Sequence, residues 1–185
     1  SLADTTYEAG SLLAADYEEF LAGTAQLQVV FEPDEHTALN HYAWTRDRLV
    51  IVSLVDVASR VEIVTPPSRD DPLRPAPPRL RSSRGSWQRE PVAGIPAATN
   101  TVVVSADDTG DEFFLDSSGF DSPSRLMRGT DDGRLEQLKS APAFFDAENI
   151  SVTQNFVASQ DGTPIPYFVV RPSGSQASEG PAPTL

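Results

Sequence analysis

The stretch "TRDRLVIVSLVDVASRVEIVTP" (45–66) holds two apolar runs around a short polar turn, and "TGDEFFLDSSGFDSPSRLMRGT" (109–130) repeats its plan. Each has a polar turn, a hydrophobic strand, a loop, and then Ser-Arg before an apolar residue: Ser59-Arg60-Val61 and Ser124-Arg125-Leu126. Between them lies "PPSRDDPLRPAPPRLRSSRG" (66–85), which reads as an insertion. Removing roughly 18 residues there leaves a period of roughly 45 to 50, the length of a four-stranded propeller blade. A sandwich or barrel is the other home for such strands, but neither is expected to repeat itself this way. The repeat favours a propeller.

Outward from the repeat, the pattern stays strand-like. Runs at 25–31, 37–45, 47–57, 59–65, 99–106, 111–119, 123–129 and 134–141 are β-branched or aromatic and are separated by polar turns. One segment competes. "SLLAADYEEFLAG" has Ser11 placed as an N-cap and Gly23 as a stop. We expect it to split into a short strand from Ser11 to Asp16 and a helical turn from Tyr17 to Ala22. Near the end, Val152–Ser159 and Thr163–Arg171 flank Asp161-Gly162, the turn signal of a β-hairpin. Two strands alone are marginal in water, so this hairpin should pack on something.

The insertion holds six of the 16 prolines. Proline cannot donate to a ladder and restricts its predecessor, so 66–85 reads as a loop with polyproline character. A solvated loop is preferred to a docking arm for an acidic partner or an SH3-like groove.

The net charge of −13 and pI near 4.4 argue against a nucleic-acid partner, whose phosphates demand a basic field. No apolar run approaches the roughly 20 residues that span a bilayer, so no membrane partner is expected. There is no cysteine, which removes disulfides and thiolate metal ligands. No leader pattern is visible at residues 1–10. A cytoplasmic location is expected, with the periplasm left open.

Catalytic candidates are few. The histidines are His36 and His41. His36 follows "EPDE" and reads as a solvated loop residue; His41 reads as a strand residue satisfied by its neighbours. A Ser-His-Asp mechanism needs an exposed serine on a sharp turn within reach of such a base, and no such turn is seen. No cofactor or metal is expected. "DDTGDEFFLD" (107–116) and "GTDDGRLE" (129–136) lack calcium-loop spacing. The pairs Asp70-Asp71, Asp107-Asp108, Asp131-Asp132 and Glu18-Glu19 read as solvated turns. Phe113, Phe114, Phe144, Phe145, Trp44 and Trp87 read as packing residues.

At "GSLLAADYEEFLAG", "LVIVSLVDVASRVEIVTP", "WQREP" and "PAFFDAENISVTQNFVASQDGTPIPYFVVRP" the sequence resembles the prolyl oligopeptidase family of serine peptidases. Its most specific part is the hairpin: Asp161, Gly162, Thr163, Ile165, Pro166, Phe168 to Pro172, then Pro183-Thr184-Leu185. The 66–85 stretch is the main departure. The resemblance implies a mainly β chain: a partial β-propeller of about three four-stranded antiparallel blades over 1–147. A β-hairpin over 148–185 would then start a truncated α/β-hydrolase domain. It implies that the catalytic Ser, Asp and His all lie downstream of Leu185, leaving no catalytic residue here. It further implies a parent enzyme that cleaves short peptides after proline, with the propeller gating access. A stand-alone peptide-binding propeller and an oligopeptidase B-like enzyme cleaving after basic residues are the alternatives. Uncovered blades would make the isolated chain self-associate.

Overall fold

The computed structural model describes residues 5–67 and 86–173. The expected loop therefore lies almost wholly outside the described residues, as do Asp70-Asp71 and Pro183-Thr184-Leu185. Strand β1 (Leu12–Ala14) leads into helix α1 (Tyr17–Leu21) and then β2 (Gln28–Phe31), which pairs back on β1. The expected split holds because Asp16 caps the helix. Its carboxylate accepts from the Glu18 and Glu19 amides at 3.0 and 3.1 Å, with both glutamates in the favourable first turn.

The body is two four-stranded antiparallel sheets. The first runs β3 (Thr37–Trp44), β4 (Leu49–Val55), β5 (Ala58–Thr65), β6 (Gln88–Pro91) in spatial order. The second runs β7 (Thr99–Ala106), β8 (Glu112–Gly119), β9 (Arg125–Thr130), β10 (Leu135–Ser140). Each meanders in sequence order, as propeller blades do. Each first strand carries a register shift, between Leu39 and His41 in β3 and between Val103 and Ser105 in β7. The repeated Ser-Arg motif is structural: Arg60 pairs with Ser53, and Arg125 with Ser117, on the third and second strands of each sheet. Both serines so paired are buried.

β6 is the strand that pattern reading misses. Its four residues are all exposed and include Pro91, which suits an outermost strand and gives no apolar signal. Its partner residues run from Glu62 to Thr65, so 66–85 joins the third and fourth strands of the first sheet.

The sheets pack face to face. Val50, Val52, Val61 and Ile63 of the first meet Val103, Phe113, Leu115 and Met127 of the second. On its other face the first sheet packs Leu49, Ile51 and Val64 against Ala14, Val30 and Phe31. β4 is thus covered on both sides, which is why, Ser53 apart, its sequence is apolar on both faces rather than alternating. In β8 only Phe113, Leu115 and Ser117 are fully buried, and the residues between them are half-exposed. Phe113 fits because its partner across the ladder is Gly129, where any Cβ would collide with the ring.

The aromatics need one correction. Phe113 is core, and Trp44 and Trp87 stack at 6.4 Å between centroids. Phe144 and Phe145, however, are 91% and 53% exposed, because the segment after β10 runs with no strand over it. Last comes the hairpin, β11 (Ile150–Ala158) and β12 (Pro164–Pro172), paired in unbroken register over nine residue pairs.

Candidate functional site

The turns of the two sheets gather at two ends. At one end lie the β3–β4, β7–β8 and β9–β10 turns. Here the Arg46 amide donates to the Gly110 carbonyl at 2.8 Å, and Thr45 Oγ1 donates to Asp131 Oδ1 at 2.9 Å. Arg48 also donates to the Asp131 carbonyl. Asp131 was expected in a solvated turn. It is instead a half-buried staple between the sheets, and burial pushes its carboxyl above the usual value, against the Thr45 hydrogen bond. Its neighbours Asp107 and Asp132 do behave as turn residues, accepting from Thr109 and Arg134 amides at 2.9 and 3.2 Å.

The opposite end carries the hairpin. Two contacts seat it: Gln154 of β11 donates to the Asp56 carbonyl in the β4–β5 turn, and Phe168 of β12 packs on Phe120 after β8 at 5.3 Å. The Ser173 amide donates to the Asn149 carbonyl and closes the hairpin's own base. Between hairpin tip and first sheet lies a groove of about 730 Å³, lined by Asp34 to Ala38, Leu54, Asp56, Val57 and Asp161 to Pro164.

The groove wall is built by two turns. In the β2–β3 turn Asp34 accepts from the His36 amide at 2.8 Å, which together with Thr37 lowers its pKa. The β4–β5 turn has only Asp56 and Val57 at its apex, with φ of 47° and 67°. That is the left-handed pairing of a type I′ turn, which favours Asn-Gly and is costly for a β-branched residue. Asp56 is held from three sides. Its amide donates to the His36 carbonyl at 2.8 Å, its Oδ1 pairs with His36 Nδ1 at 2.8 Å, and its carbonyl takes Gln154. The Asp56 hydrogen bond and charge raise the His36 pKa. Across the groove, hydrogen bonds from Ser159 and Thr163 draw Asp161 down to about 2.

His36 is thus an exposed loop residue, as its sequence context indicated, but one tied to a carboxylate. The pair matches the histidine and carboxylate of a Ser-His-Asp triad, with no serine or cysteine in the groove lining. His41 sits exposed on β3 rather than satisfied within the sheet. Among the described residues no group of three or more His, Asp or Glu converges to hold a metal ion.

No family model matches the chain. Among curated proteins it is 31% identical to a protein of Sinorhizobium fredii called Uncharacterized peptidase y4nA, over 90% of this chain and 21% of that one. It is 24% identical to Uncharacterized peptidase RP174 of Rickettsia prowazekii, over 96% of this chain and 23% of the relative. The chain therefore spans about a fifth of the length of these relatives. Among solved structures, the fold superposes on a post-proline cleaving enzyme from Rickettsia typhi with a TM-score of 0.69, at 22% identity, covering 95% of this chain and 23% of that one. It also superposes on oligopeptidase B from Leishmania major with a TM-score of 0.62, at 16% identity, covering 94% and 25%.

Proposed function

We propose that the chain is a segment of a prolyl oligopeptidase-type protein and that it supplies blades and a linking hairpin to a cytoplasmic serine peptidase that cleaves short peptides after proline. Its own role is steric: the blades wall off an active site formed elsewhere and admit only small, unstructured peptides. The observation that carries this reading is the hairpin. β11 and β12 expose Phe156, Val157, Ile165, Tyr167 and Val170, apolar side chains distributed along both strands. A solvent-facing hairpin would not be built this way; a hairpin covered by further structure would. The relatives' length, roughly four times that of the chain, supplies room for such structure.

The groove lining supports the non-catalytic part. His36 has its carboxylate but no serine or cysteine in the groove lining, and acyl transfer also needs an oxyanion hole worth about 10²–10³ in rate.

The test compares two proteins on a succinyl-Gly-Pro chromogenic peptide. The 185-residue chain alone should be inert once contaminating proteases are excluded by inhibitor controls. The full-length gene product should cleave after proline, lose that activity when its nucleophilic serine is replaced by alanine, and keep it in His36→Gln. Cleavage by the isolated chain would overturn the reading. Full-length cleavage only after Arg or Lys would keep the blades and replace the specificity by that of an oligopeptidase B-like enzyme. Tight peptide binding with no cleavage by either protein would favour a stand-alone binding module.

A further inference from the structure

We propose that His36 and Asp56 form a proton-operated clasp that seats the β11–β12 hairpin against the end of the first sheet. The inference rests on the groove's geometry and holds whatever substrate the full-length protein takes.

Asp56 occupies the junction. Its side chain binds His36 of one turn while its carbonyl receives Gln154 of the hairpin, so the ion pair and the seating bond meet in one residue. That residue sits in a turn that does not favour its own shape. Asp56 and Val57 both take left-handed φ without a glycine, and Val57 is 51% exposed, with little packing to hold it there. The ion pair to His36 therefore carries part of what keeps the turn, and hence the carbonyl, in place.

Charge makes the arrangement sensitive to protons. The groove presents Asp34 and Glu35 from the histidine's own turn, Asp56 from the β4–β5 turn, and Asp161 from the hairpin tip. His36 is the sole cationic side chain in that lining. Protonated, it pairs with Asp56 and offsets the repulsion between blade carboxylates and Asp161. Neutral, it leaves four carboxylates facing one another across the groove. Because the histidine pKa is raised, the pair is intact below its titration point and is lost as pH rises through that point. The seated hairpin is accordingly the low-pH state.

The chain has no cysteine, so two introduced ones report distance without interference. Spin labels at Asn40→Cys on β3 and Gln160→Cys at the hairpin tip, both exposed, follow the groove width in the whole chain. The seated population should fall several-fold as pH rises, with the midpoint of the His36 ring titration measured by NMR in the same sample. His36→Gln should be unseated at every pH, and Val57→Gly, which removes the turn's strain but not the carboxylate repulsion, should stay seated to a higher pH than the parent chain. A His36 titration that leaves the distance unchanged overturns the clasp. So does an unaltered pH midpoint in His36→Gln or in Val57→Gly.

Discussion

Gly129 shows how one residue sets a core. Phe113 lies over it, so Gly129→Ala should destabilise the chain by about 1–3 kcal/mol through overpacking, read as a lower urea midpoint. Asp131 makes a pH-dependent contribution. Its folded pKa is raised, so its contribution is present below the unfolded carboxylate value of 3.8 and is lost as pH rises through the folded one. Asp131→Asn keeps an acceptor for Thr45 and should remove that dependence, which sets in as pH rises above the unfolded value of 3.8, in urea titrations. Asp131→Ala loses the bond and should cost about 1 kcal/mol, an exposed-side discount included. Nothing in "GTDDGRLE" announces this role, because the Thr45 partner comes from 86 positions away. The Asp132 turn beside it was legible, since its partners are its immediate neighbours.

The strands themselves tell which faces are covered. Burial is continuous from Leu49 to Ser53 because β4 is sandwiched, whereas it alternates along "EFFLDSSG" because β8 buries one face only. Two substitutions test that reading. Val52→Ala in β4 should cost about 1–2 kcal/mol, while Val104→Ala, at a site 59% exposed on β7, should change stability by less than about 0.5 kcal/mol. Comparable losses at both would mean the second sheet has a covered outer face. Helix α1 and the hairpin were readable from a cap and a turn signal, which are local. β6 was not, since an exposed strand is defined by its partner, and that partner lies beyond the Pro-rich stretch.

At the scale of the molecule, the repeat of the Ser-Arg motif disclosed the blade plan, because equivalent positions in each sheet need equivalent residues. It did not disclose that the two serines serve differently. Ser59 accepts from the Thr101 amide of the next sheet at 2.9 Å, while Ser124 donates to Asp116 within its own. The groove was hidden for the same reason: His36, Asp56 and Asp161 share no local pattern. Sheet faces and a hairpin that bare apolar residues should make the isolated 20.0 kDa chain self-associate at micromolar concentration. Light scattering after size exclusion would read this, and a monomer across the range would count against it. In the function proposed for the chain, these blades gate access to a peptidase site. The most direct test of that gating is kcat/KM of the full-length protein on peptides of graded length that share one proline site, ending with that site in a folded protein. A steep fall with length and no cleavage of the folded substrate are expected. Equal rates across the series would contradict the gating.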